Sequence, residues 1–334
     1  MSAHIEVLDA AGTRSRLGYR SAVEALEGAL LAGFDPATDV PRTASPLGSA
    51  EALLMPSAVG DAVGVKVLTV APGNPARGLP RIQGLHLVFD ADTMAPVLIL
   101  EGSVLTGIRT PAVSMVGVRR ALAARVAARI AAGEAAPGGD GGGAGGTSLD
   151  VVVFGTGPQA IAHVEALREV CPELPIGRVT HVARRAPGDP AALHGGEFVA
   201  AADAASVALA LGGAGLVVCA TTAREPLFDS ALLGDDAVVV AVGSHEPDAR
   251  ELDAALMMRA EVVVEDVVTA LREAGDVVMA VHEGALAPAA LVPLADVVTG
   301  RWVAAQGDAT RPLVVKTSGM SWEDAVVGRT ALAG

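Results

Sequence analysis

The side chains best suited to chemistry in this chain are its two lysines, Lys66 and Lys316, which stand among 24 basic residues that are otherwise all arginine. A composition that uses arginine wherever charge alone matters makes a retained lysine informative. Burial can lower the pKa of an ammonium enough for proton transfer, whereas a guanidinium stays charged. A second feature is the run Gly155-Thr156-Gly157-Pro158-Gln159-Ala160, with an apolar stretch at 149–154 before it and IAHVEALREV after it. Strand, GxGxxA turn and helix in that order are what a dinucleotide fold needs. Gly155 permits the tight turn, Gly157 lets backbone approach a pyrophosphate, and Ala160 allows close helix packing. The helix N-terminus then faces the phosphates.

At the end of the second strand of such a fold, an NAD-specific site carries Asp or Glu for the ribose 2′-hydroxyl. This chain has Ala183-Arg184-Arg185 there, and Asp189 follows only later, between Gly188 and Pro190. A guanidinium at this place can pair with the 2′-phosphate of NADP. NADP(H) is therefore the expected cofactor, with NAD(H) possible.

The elements that must carry these residues follow from the apolar pattern. Short β-branched runs at 149–154, 179–183, 198–202, 216–220, 237–242 and 261–264 alternate with helix-compatible stretches such as 161–170 and 253–258. Strands apolar on both faces that alternate with helices predict a doubly wound parallel α/β sheet. The uncharged stretch 204–223 is long enough to be weighed as a membrane span, but Gly212, Gly213 and Gly215 divide it into a helix-like and a β-rich half, so it reads as core. A glycine-rich loop at 132–148 cannot pack a core and marks a division of the chain. Before it the sequence is mixed, with a helix at 23–31 and strands at 63–70 and 85–89. Near the end, LVVK at 313–316 is strand-like and SWEDAVVGRTAL is helical. The final stretch, 312–334, has no obvious place in the sheet, so it is expected to pack on the N-terminal part or along the junction.

A chain of 334 residues with 51% apolar side chains is long enough for about two domains. Its net charge of −14 argues against a nucleic-acid or anionic membrane partner, both of which need clustered Lys and Arg. The acidic N-terminal stretch lacks the basic start and apolar run of an export signal. Cys171 and Cys219 lie in apolar surroundings without Cys or His clustering, which predicts neither a disulfide framework nor a metal site. The expected compartment is the cytoplasm.

Further blocks come from Arg42, Met55-Pro56, Gly64-Val65-Lys66, Asn74 through Gly84 with Arg81, and Leu105 through Ser114 with Arg109. Together with the GxGxQA turn, the Gly-Ser-x-x-Pro-Asp-x-Arg-Glu-Leu segment at 243–252 and the terminal Ser-Gly-x-x-x-Glu-Asp segment, they resemble the ornithine cyclodeaminase/mu-crystallin family over nearly the whole chain. The resemblance implies a Rossmann domain (119–311) plus an α+β substrate and dimerisation domain formed by 1–118 with 312–334, and a homodimer. It also implies an NAD(P)H-dependent oxidoreductase that reduces an imine bearing an α-carboxylate, with pyrroline-2-carboxylate as the leading cyclic ketimine. Amino-acid dehydrogenation, ornithine cyclodeamination and a non-catalytic ligand-binding role are the alternatives.

Carried over by position, Arg42 and Arg109 match the arginines that grip the substrate carboxylate, and Lys66 matches the active-site lysine. Two positions depart from the cyclodeaminases. His245 stands where they carry an aspartate for the amine of ornithine, and Arg81 stands where they carry a threonine. Cyclodeamination is disfavoured on that ground, and His245 becomes a candidate proton donor or hydrogen-bonding group at the carboxyl edge of the sheet. Ala220, Thr221 and Thr222 after the fourth strand, Val242 and Gly243 after the fifth, and the Ser318-Gly319 turn are expected along the cofactor. His86 and His163 lie in strand-like and helical runs and read as structural.

Overall fold

A computed structural model describes residues 5–132, 148–302 and 310–333. The expected glycine-rich loop falls almost entirely outside the described residues. The chain forms two compact units, one of residues 1–113 with 319–334 and the other Ser114–Ser318.

The first unit is built on a six-stranded sheet. Its strands are β1 (Glu6–Val7), β2 (Thr43–Leu47), β3 (Ala50–Val59), β4 (Ala62–Val70), β5 (Ile82–Phe89) and β6 (Pro96–Glu101), in the order β1-β6-β5-β4-β3-β2. Only β1 pairs in parallel; β2 to β6 are antiparallel. Helices α1 (Ala10–Arg16) and α2 (Tyr19–Leu31) and the C-terminal helix Ser321–Thr330 belong to the same unit. Side chains alternate across a strand, and β4 follows that period strictly: Ala62, Gly64, Lys66, Leu68 and Val70 are buried. Lys66 thus takes an inward position in an otherwise apolar row. On the outer face the alternate positions Val63, Val65 and Val67 are apolar too, and Leu54, Val67 and Leu85 are exposed there. The C-terminal helix packs against β3, β4 and β5, and every residue from Ser321 to Gly328 is buried. A long helix, α3 (Gly102–Ala132), begins in this unit and ends in the other.

The second unit is an eight-stranded, wholly parallel sheet. It comprises β7 (Leu149–Phe154), β8 (Ile176–Ala183), β9 (Glu197–Ala200), β10 (Leu216–Cys219), β11 (Val238–Ala241), β12 (Glu261–Val264), β13 (Leu291–Pro293) and β14 (Leu313–Lys316). The strand order β13-β12-β14-β11-β10-β7-β8-β9 reverses its direction of growth between β7 and β10, the topological switch point where open α/β sheets bind ligands. Helices α4 (Pro158–Val170), α5 (Ala204–Gly212), α6 (Ala254–Arg259), α7 (Val267–Glu273), α8 (Gly275–His282) and α9 (Leu294–Thr299) lie between the strands in sequence. Aspartates 203, 253 and 266 cap α5, α6 and α7 by accepting from the third backbone N–H of each helix. Among the described residues no helix is long and apolar enough to cross a membrane.

One expectation is corrected. LVVK does not pack on the N-terminal part; as β14 it fills the slot between β11 and β12 in the second unit's sheet. All four of its residues are buried, so it needs neighbours on both edges and both faces. The chain leaves this unit only after Ser318, seven residues later than the expected end at 311.

Candidate active site

In the first unit, two basic and two acidic side chains meet in the interior. Lys66 Nζ lies 2.5 Å from Asp324 Oδ2, and Arg109 Nε lies 3.0 Å from Asp324 Oδ1. Arg109 Nη1 donates to Glu323 Oε2 at 3.1 Å. Lys66, Glu323 and Asp324 are fully buried and Arg109 nearly so. The sheet brings Lys66 inward, α3 supplies Arg109, and the C-terminal helix supplies both acids.

Burial lowers the pKa of Lys66 to about 8, a fall that the Asp324 carboxylate limits and the Arg109 charge increases. Desolvation would raise Asp324, but Arg109 and Lys66 beside it more than offset this and hold its pKa below the usual carboxylate range. The cluster is neutral as a whole and keeps one group, Lys66, poised to give up a proton near neutral pH.

The other expected acid-gripping residues lie in the same unit. Arg42 Nη1 donates to the Gly319 carbonyl at 3.3 Å, and a Cβ on Gly319, whose φ is +83°, would come within 2.6 Å of the Arg109 guanidinium. Gly319 is therefore the close neighbour of both Arg42 and Arg109. Arg81 is half-buried between the end of a turn and β5.

His86, expected to be structural, lies directly across the ladder from Lys66 and is fully buried. Neither ring nitrogen has a hydrogen-bond partner among the described residues, and burial lowers its pKa to about 4, so it is neutral. A Cβ at Gly64 or at Gly328 would come within 2.6 Å of its ring. The two glycines make the slot for the imidazole. His163 is held through Nδ1 by the Gln159 carbonyl at 2.7 Å and through Nε2 by Ser114 Oγ at 3.0 Å.

In the second unit the glycine run is the turn between β7 and α4. Gly155 has φ +121°, a conformation that L side chains rarely adopt, and its Cβ would meet the Ala220 carbonyl at 2.8 Å. Its N–H donates to the Val182 carbonyl at 2.9 Å. Ala160 is buried against Gly155, whereas Gly157, the N-cap of α4, has open space where a Cβ would point and no side-chain cap. An open helix N-terminus behind a glycine turn at the switch point fits a dinucleotide pyrophosphate. Thr156 lies within the turn, and Pro158 and Gln159 open α4. Arg184 and Arg185 are exposed at the carboxyl end of β8.

The remaining expected residues line the carboxyl ends of neighbouring strands. Ala220, Thr221 and Thr222 follow β10, and Val242, Gly243 and the half-buried His245 follow β11. Thr221 and Gly243 share the buried Glu251 carboxylate. Ser318 ends the second unit, its N–H donating to Glu265 at 2.9 Å and its hydroxyl to Glu273 at 3.2 Å.

Residue reasoning singled out neither Asp324 nor Glu323, although both stand in the terminal Glu-Asp block. The available signal was two adjacent acids in a helix whose other residues are mainly apolar.

The family model described as "Ornithine cyclodeaminase/mu-crystallin family" matches residues 7–136 and 146–331. The chain is 33% identical over 337 residues to a Delta(1)-pyrroline-2-carboxylate/Delta(1)-piperideine-2-carboxylate reductase of Azospirillum brasilense, covering 98% of this chain and 95% of that protein. It is 32% identical over 291 residues to Delta(1)-pyrroline-2-carboxylate reductase 2 of Burkholderia ambifaria, covering 85% and 80%. Its fold is similar to that of the Delta(1)-pyrroline-2-carboxylate reductase of Thermococcus litoralis, solved with NADH and L-proline. That match has a TM-score of 0.79 and 24% identity, and covers 98% of this chain and 97% of the other.

Removing one partner of a buried ion pair leaves the other charge uncompensated. Asp324→Ala is expected to lower the unfolding free energy by about 3–5 kcal/mol, measured by urea denaturation. The double variant with Lys66→Ala should lose clearly less than the sum of the single losses. Additive losses would show that the two charges do not interact.

Proposed function

Because the chain belongs to the ornithine cyclodeaminase/mu-crystallin family, we propose that it is an NAD(P)H-dependent oxidoreductase that reduces a cyclic imine bearing an α-carboxylate to the corresponding cyclic amino (imino) acid. Pyrroline-2-carboxylate is the leading substrate. The observation that carries this reading is the fully buried Lys66, paired with Asp324 beside Arg109 and lowered to about 8. The names of the 32–33% identical relatives support the substrate class.

A bound nicotinamide would supply hydride to the imine carbon. Arg42 and Arg109 hold the carboxylate, for which a planar guanidinium fork is suited. Lys66 gives its proton to the imine nitrogen and regains one between turnovers, while Asp324 keeps the ammonium form populated at neutral pH. His245 is the second candidate donor or hydrogen-bonding group, and Arg81 a further contact for the acid.

NADP(H) is the preferred cofactor in this reading. No carboxylate follows β8 at the ribose position, and two exposed guanidinium groups stand there instead. The exposed apolar face of the first unit's sheet, with Leu54, Val67 and Leu85, supports a homodimer, which should sediment at twice 33.3 kDa. Both cysteines are buried and unbridged, which suits a cytoplasmic protein.

Oxidation of NADPH, with NADH in parallel, against a panel of cyclic imines and of 2-oxo acids with ammonia tests the reading. Cyclic imines with an α-carboxylate should turn over fastest, and failure of every imine would overturn it. In the reductive direction kcat/KM should fall about tenfold per pH unit above about 8, where Lys66 loses its proton. Asp324→Asn should move that alkaline limb down by about one pH unit or more, since the carboxylate charge raises Lys66. A limb that stays in place would remove Lys66 as the titrating group. The Arg184→Ala/Arg185→Ala variant should lose its preference for NADPH while keeping NADH turnover. Equal use of both cofactors by the unaltered protein would contradict the assignment of these arginines.

A further inference from the structure

Strands β10 and β11 are parallel neighbours, with Cys219 opposite Ala241, and their chains leave the ladder at Ala220 and Val242. Beyond that point backbone donors need new partners. Both turns find the same one. Thr221 N–H and Oγ1–H donate to Glu251 Oε1 at 2.8 and 2.7 Å, and Gly243 N–H donates to Glu251 Oε2 at 2.8 Å.

Glu251 is itself held in place. Its own N–H and that of Leu252 donate to Asp276 Oδ1 at 2.7 and 2.8 Å. Lys316 Nζ lies 3.3 Å from Asp276 Oδ2 and donates to the Ser244 carbonyl at 2.6 Å. Glu251, Asp276 and Lys316 are all fully buried. Ser244 also donates through its hydroxyl to the Ala249 carbonyl, which closes the loop that carries His245.

A cluster this deep is costly, and apolar side chains of the same volume would hold a sheet as well or better. What apolar groups cannot do is span two turns with one rigid, two-oxygen acceptor. The turns approach closely: a Cβ on Gly243 would strike both the Thr221 carbonyl and the Glu251 carboxylate. They also adjoin the glycine turn, since the Ala220 carbonyl is the atom nearest to where a Cβ of Gly155 would stand.

We propose that Glu251 is a positioning residue for the nicotinamide end of the bound dinucleotide, acting by fastening the Thr221 and Gly243 turns to each other. The proposal rests on the cofactor reading above. Asp276 fixes the backbone of Glu251, and Lys316 fixes Asp276 and Ser244, so the second lysine serves geometry rather than proton transfer.

The test is binding to the full-length protein, followed by nicotinamide fluorescence for NADPH and NADH and by calorimetry for ADP, which lacks the nicotinamide. Glu251→Gln keeps size but turns one acceptor into a donor that faces another N–H. It should weaken dinucleotide binding about tenfold and leave ADP affinity unchanged. Equal losses for dinucleotide and ADP would show a general structural role and overturn the proposal, as would unchanged dinucleotide affinity. Should Glu251→Gln not fold, Thr221→Val removes the hydroxyl that donates to Glu251 and accepts from the Ala223 N–H, and should weaken the dinucleotide about threefold with ADP unchanged; no weakening would again overturn it. If the unaltered protein binds neither NADPH nor NADH, the cofactor reading itself fails and takes this proposal with it.

Discussion

Four charges buried from bulk solvent set the terms for the first unit. Lys66 and Arg109 face Asp324 and Glu323 in an interior where one unpaired charge would cost several kcal/mol, so the four persist only as a set. That demand reaches far along the sequence, because one member comes from β4, one from α3 and two from the chain's last helix. The β-strand period must put Lys66 inward, and the last helix must press Glu323 and Asp324 against the sheet. Gly64 and Gly328 yield space to His86 so that a neutral ring, not water, fills the position across from Lys66. The chemical return is an ammonium whose pKa is lowered to about 8, in a place where an arginine would stay charged.

The second unit repeats the device for another purpose. Its one lysine is also fully buried and also paired with a buried aspartate, yet its hydrogen bonds run to the backbone carbonyls of Ala241 at the end of β11 and of Ser244 in the loop after it. Both lysines of the chain are therefore out of reach of bulk solvent, and every exposed basic side chain is an arginine or histidine. In one unit the buried pair tunes a proton, and in the other it holds backbone.

Much of this was legible in the amino-acid sequence. The glycine turn, the parallel strands from β7 to β12 and the marked status of the lysines follow from local pattern, because each depends on neighbours within a few residues. The place of β14 was not, since three apolar residues and a lysine carry no information about which of several open slots they fill, and the slot is chosen by strands far away in sequence. His86 was passed over for a related reason: its alternation marks it as inward, but only pairing shows that inward means opposite Lys66. Asp324, Glu323 and Glu251 are ordinary acids by composition, and their importance comes from burial and partners that a single strand or helix pattern does not display.

The central claim is that the buried ammonium of Lys66 delivers the proton while other groups bind acid and cofactor. The most direct test is Lys66→Met, compared with the unaltered protein at neutral pH for NADPH binding and for reduction of pyrroline-2-carboxylate in a single turnover. The account predicts nicotinamide binding within about twofold and a chemical step slowed by about 10²–10⁴-fold. A variant that binds cofactor and reduces the imine at an unchanged rate would contradict it.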